Sequence, residues 1–169
     1  MPQSADAALA VAGASRAAAE TFTMRKRLQG KGAPHAMSAF TGVTPILNVK
    51  NLNAAVDYYV NRLGFRKKWE WGEAATFGAV ERGAAVLFLC QGAQGPPGVW
   101  LTVWVDDVDA LYQEYRASGA MIREAPMNFP WENREMLVED LDGHCLRMTG
   151  PATGPADEGW MRTARSPRT

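Results

Sequence analysis

The chain holds two histidines, His35 and His144, and two cysteines, Cys90 and Cys145. A catalytic metal centre gathers three or four imidazole, thiolate or carboxylate groups in one place. Two cysteines at this spacing match no zinc signature. His144 and Cys145 are neighbours in sequence, but successive side chains of a strand point to opposite faces, so they make a poor dyad. Cys145 reads as a small buried hydrophobe. His144 lies beside the Asp142-Gly143 turn and is expected to be solvated or to cap it. No glycine loop of either common phosphate-binding pattern occurs. Asp106, Asp107 and Asp109 read as a helix cap with favourable charge at a helix N-terminus. Lys67-Lys68 is too short a run for a nucleic-acid footprint. Acid–base and nucleophilic chemistry thus find no constellation, and the residue types that remain are aromatic.

The elements that would position them form an internal repeat. Thr44–Leu52 resembles Trp100–Val108 at an offset of 56 residues. Each stretch is a strand followed by a polar N-cap candidate, Asn51 or Asp107. Each then leads into an amphipathic helix. The first carries Leu52, Val56, Tyr59 and Leu63 and stops at Gly64. The second carries Val108, Leu111, Tyr112 and Tyr115 and stops at Gly119. Further strands are expected over 73–80 and 84–90, and again over 134–140 and 144–149. The pair Gly83–Phe88 and Gly143–Met148 stands at offset 60, which makes the second module about four residues longer, most simply in the 124–134 loop. Gln91–Gly98 is a Gly/Pro-rich linker.

The predicted fold is therefore α+β: two tandem βαβββ modules, about 40–90 and 99–150, forming a curved sheet with a concave cup and the helices outside. Strand alternation places Leu47 and Val49 under the first helix, with Thr44, Ile46 and Asn48 on the other face. The matching set on the fifth strand is Trp100, Thr102 and Trp104. These residues either fill the concavity or a dimer contact, or they wall a ligand pocket with a few placed polar groups.

Charge is unevenly placed along the 169 residues. Residues 1–37 form a low-complexity basic extension of net +3, residues 38–150 carry net −4, and residues 151–169, expected to be a flexible tail, carry net +1. No apolar run is long enough for a membrane span, and the extension lacks the pattern of a secretory signal. A cytoplasmic location is expected.

The repeat, with Pro45-Ile46-Leu47-Asn48-Val49-Lys50-Asn51, Tyr58–Phe65 and Asp140–Leu146, resembles the vicinal oxygen chelate superfamily over about residues 40–150. That superfamily includes glyoxalase I, extradiol dioxygenases and the fosfomycin- and bleomycin-resistance proteins. Its catalytic members hold a divalent metal with one His, Glu or Gln from each of four strands. The positions matching those ligands are Thr44, Leu87, Trp100 and Arg147, none of them a usual ligand. Val103–Tyr115 and Pro130–Glu135 make the resemblance strongest to the bleomycin-resistance proteins. It implies a homodimer with two clefts at its interface, no metal or other cofactor, no catalytic residue, and sequestration of a planar, neutral or cationic molecule. Trp69, Phe77 and Trp131 match ligand-contacting aromatics and Trp104 a tryptophan beside them. Asn48, Trp100 and Arg147 are added from the cup face. Pro45 matches the proline at which the first strand crosses to the partner. Trp71 is expected on the surface or at an interface. Arg134 and Glu135 are expected to pair with each other. The alternative function is a metal-dependent glyoxalase-like lyase or extradiol-type dioxygenase.

Overall fold

The computed structural model describes residues 41–160. The extension 1–37, with His35, and residues 161–169 of the tail lie outside them. The first module contains β1 (Ile46–Val49), α1 (Leu52–Asn61), β2 (Arg66–Trp71), β3 (Phe77–Arg82) and β4 (Ala85–Gln91). The second contains β5 (Trp100–Trp104), α2 (Val108–Ser118), β6 (Met121–Asn128), β7 (Asn133–Glu139) and β8 (Cys145–Pro151). The βαβββ repeat is thus present twice. Both N-caps form: the Asn51 carboxamide oxygen accepts from Ala54 N–H at 2.8 Å, and the Asp107 carboxylate from Ala110 N–H at 2.8 Å. They satisfy amides that the first helical turn leaves open. Gly119 ends α2 with φ 75°, a left-handed conformation that favours glycine.

Each module builds its own four-stranded mixed sheet, ordered β1-β4-β3-β2 and β5-β8-β7-β6. The first strand of each is parallel to the last and the others are antiparallel. Pro126 lies in β6, an edge strand, where its missing N–H costs no interior ladder bond. Residues 72–76, where the sequence suggested the start of a strand, are the turn between β2 and β3.

One core serves both modules, on the helix side of the sheets. It contains Leu47, Val49, Tyr59, Leu87 and Leu89 from the first module and Leu111, Tyr115, Met136, Leu146 and Met148 from the second. The helices are also where the modules meet. Tyr58 Oη donates to Glu139 O at 2.8 Å and accepts from Met121 N–H at 2.8 Å. Tyr59 Oη donates to the Asp140 carboxylate at 3.0 Å, and Tyr115 Oη to Leu63 O at 3.2 Å. Arg82 grips Glu114 with two contacts of 2.7 and 2.8 Å. Burial raises the Tyr59 hydroxyl well above its ordinary range, and the neighbouring Asp140 charge adds to this. Burial also pushes Asp140 upward, against its bonds to the amides of His144 and Asp142.

His144 is fully buried and its ring bonds to Val99 and Asn48, so it is neither solvated nor a cap of its turn, contrary to expectation. Its Nδ1 accepts from Val99 N–H at 3.1 Å and its Nε2 lies 2.8 Å from Asn48 O. The first contact leaves Nδ1 without a proton, so Nε2 carries it and donates to the carbonyl. The ring thus ties the end of β1 to the start of β5.

Candidate functional site

The sheet face opposite the core carries the candidate site. On the first sheet, β1 and β4 run side by side with Ile46 opposite Phe88, and β3 sets Ala79 opposite Phe88. Leu87 and Leu89 belong to the core, so alternation turns Phe88 toward the concave face. This corrects the assignment of Leu87 to a ligand position. Ile46 pairs with Phe88 and Thr102 with Arg147, so the counterpart of Arg147 is Phe88, at offset 59 and not 60. Part of the difference lies in the last hairpin. A two-residue turn joins Arg82 to Ala85, whereas five residues, 140–144, join Glu139 to Cys145.

Trp69, Phe77 and Phe88 form one aromatic cluster. Ring centroids are 5.4 Å apart for Trp69–Phe77, 5.1 Å for Trp69–Phe88 and 5.6 Å for Phe77–Phe88. Trp71 shares this face, because Trp69 pairs with Ala79 and Trp71 with Phe77. It is 42% exposed at the rim. Trp71 thus lies at the surface as expected, but on the same face as Trp69, because residues two apart in a strand face the same way. Beyond the cluster, Glu81 is buried and holds Arg66 at 2.5 Å and Lys68. The Lys68 hydrogen bond lowers its carboxyl below the usual range.

On the second sheet, Trp100, Thr102 and Trp104 of β5 stand opposite Cys145, Arg147 and Thr149 of β8 in turn. The Arg147 guanidinium carbon lies 5.5 Å from the centroid of the Trp100 ring, a cation–π contact. Arg147 Nε is 3.5 Å from the Glu135 carboxylate. That carboxylate also accepts from Trp131 Nε1 at 2.9 Å. Glu135 is buried and joins Trp131 to Arg147. Its expected partner Arg134 instead forms a two-pronged pair with Asp109 at 2.7 and 2.8 Å. Phe129 stacks on Trp131, with centroids 4.7 Å apart.

The predicted residues therefore fall into two groups. Trp69 and Phe77 come together on one sheet, and Trp100, Arg147 and Trp131 on the other, with Trp104 on the same face and 70% exposed. Asn48 serves the scaffold: its Nδ2 donates to Gly95 O in the linker at 2.6 Å. Pro45 O accepts from Phe88 N–H of its own chain at 3.0 Å. Phe88, Glu135 and Trp160, whose ring meets Trp131 with centroids 5.6 Å apart, are additions from the structure. Strand parity would have found Phe88, and only the fold brings the other two in.

The four metal positions become Thr44, Phe88, Trp100 and Arg147. A hydroxyl, two rings and a guanidinium do not fit a divalent cation. Among the described residues no three His, Cys, Asp or Glu side chains are grouped to hold one. Burial pushes the Cys145 thiol up to about 11 and also raises Cys90, which disfavours the nucleophilic thiolate. A cavity of about 720 Å³ opens elsewhere, between the β3–β4 turn and α2. Its walls include Val103, Leu111 and Met148, and of the predicted aromatics only Trp104 reaches it.

The chain belongs to the glyoxalase/bleomycin resistance protein/dioxygenase superfamily, whose model matches residues 33–148. Among solved structures it is similar to TioX from Micromonospora sp. ML1, with 25% identity and TM-score 0.60, covering 67% of this chain and all of that one. A bleomycin resistance determinant encoded on the transposon Tn5 gives 20% identity and TM-score 0.57, covering 66% of this chain and 98% of that one. A superfamily member from Nocardioides gives 19% identity and TM-score 0.57, covering 82% and 96%. The latter two show the shared fold. No curated protein matches. Among the described residues no helix is long and apolar enough to cross a membrane.

Proposed function

We propose that the chain binds a planar, neutral or cationic small molecule and acts by sequestration, without metal and without turnover. One observation carries this reading: large exposed indole rings stand on, or in a loop beside, the sheet faces that the core does not use. Trp100 is 39% exposed, Trp131 45% and Trp104 70%. Exposed aromatic surface of this extent marks a binding face, and rigid rings stack on flat ligands at small entropic cost. The net −4 of residues 38–150 favours neutral or cationic partners over polyanions. The bleomycin resistance determinant among the structural relatives agrees with such a role.

The aromatic groups lie on two separate sheets, which supports closure by a second copy. In a homodimer the first sheet of one protomer would face the second sheet of its partner, giving two clefts. The segment before Pro45 would cross to the partner. The protein would act in the cytoplasm. Native mass spectrometry of protein purified without added metal tests the assembly: dimers free of metal are expected. Stoichiometric retained nickel, iron, manganese or zinc would overturn the reading in favour of a lyase or dioxygenase. Bleomycin titration, read as tryptophan quenching, tests the ligand class. Absence of quenching by bleomycin and by planar cationic dyes alike would sink it.

A further inference from the structure

The family match ends at residue 148, yet the chain continues in a defined path to Trp160. This segment is clasped onto Asn128, the last residue of β6. Asn128 N–H donates to the Asp157 carboxylate at 2.7 Å, and Asn128 O accepts from Asp157 N–H at 3.0 Å. The Asn128 carboxamide oxygen accepts from Thr153 N–H at 3.1 Å, and Ala152 N–H donates to Glu132 O at 3.1 Å. Asp157 also lies 3.9 Å from Arg134. Ala152, Thr153 and Asp157, within the stretch expected to be a flexible tail, are therefore held by backbone and side-chain bonds.

The path delivers Trp160 to Trp131. Their rings meet edge-on at 86°, with centroids 5.6 Å apart. Trp131 is then fixed three ways: stacked on Phe129, tied through Nε1 to Glu135, and abutted by Trp160. The loop that carries it includes Glu132 at φ 63°, a left-handed conformation rare for a residue with a side chain. Such backbone persists where surrounding contacts enforce it, and it clusters at binding sites. Here the enforcing contacts are Glu132 N–H to Phe129 O at 3.2 Å and the Ala152 bond to Glu132 O. The second of these comes from the segment itself.

We infer that Trp160, carried by the segment beyond the family domain, is a positioning residue of the ligand site that holds the Trp131 ring ready for a planar guest. The inference rests on the binding role proposed above. A ring already fixed loses less freedom when the ligand arrives, so the segment contributes to affinity through preorganisation. It also distinguishes this chain from a relative that stops at β8, because the Trp131 end of the site gains an aromatic wall.

Two measurements on the full chain test this together. The Trp131–Trp160 pair should give an exciton couplet in circular dichroism that W131F and W160F each abolish and W71F leaves in place. D157A, which releases the clasp on Asn128, should weaken the couplet. In titrations with bleomycin and with proflavine, W160A should raise Kd about 3- to 10-fold, in line with one aromatic pair contact, while W160F stays near the parent. A couplet unchanged by W160F, or W160A binding as tightly as the parent while W131A does not, would overturn the inference. If the parent binds neither probe, the sequestration reading falls, and the couplet decides by itself whether Trp160 holds Trp131.

Discussion

Replacing His144 by alanine should cost about 3–5 kcal/mol of stability. The ring is fully buried and joins two modules through Val99 N–H and Asn48 O. Truncation leaves both backbone groups without partners. Each partly buried orphan costs about 1–2 kcal/mol, and the cavity left by the ring adds about 1 kcal/mol. Such a loss is a large share of the roughly 5–15 kcal/mol that holds a domain together. Urea denaturation followed by tryptophan fluorescence measures it as a fall in the midpoint. Nickel or zinc should not raise the melting temperature of the parent, because both ring nitrogens are already engaged within the protein. A loss below about 1 kcal/mol, or stabilisation by those metals that H144A removes, would refute the scaffold role.

Alkaline pH should unfold the protein early. Burial pushes Cys145 from 9.0 up to about 11 and Tyr115 from 10.0 up to about 12. Above its unfolded value each group loses its proton in the unfolded chain before it does in the fold, so stability falls as pH rises. Two units each give about 5 kcal/mol lost between pH 9 and 12, to be read from melting temperatures across that range. C145A should remove the portion that begins near pH 9. Gly150→Ala should destabilise by about 1–3 kcal/mol, because its Cβ would lie 2.8 Å from Val105 O and 3.0 Å from Val108 Cγ2; calorimetry checks it. Glu135→Leu should cost about 1–3 kcal/mol by freeing Trp131 Nε1 and Arg147, and it should weaken probe binding. Glu135→Gln, which keeps an acceptor for the indole, should recover most of the binding in the same titration.

The scaffold was readable because local rules govern it. Asn51 and Asp107 announced the helices, and alternation in β1 correctly buried Leu47 and Val49. Errors arose where one residue of register decides a face. The turn glycines give a module offset of 60 that places Leu87 in the cup, but the last turn differs in length between modules, and the strand register there is 59. His144 misled because a turn position usually faces water, whereas here the neighbouring module covers it. Glu135 and Trp160 depend on contacts between segments brought together only by the fold. A single sequence carries no periodicity that reports such meetings.

The core occupies one face of each sheet and the aromatic rings the other. Neither Trp100 nor Trp104 belongs to the core that holds Leu47, Leu89, Met136 and Met148. On the proposed function, folding and recognition would thus draw on different residues of the same strands. If the concave faces bind a guest as proposed, a lineage built on this plan could change that guest by surface substitution at little cost to stability, and divergence should run fastest on the concave faces and slowest beneath the helices.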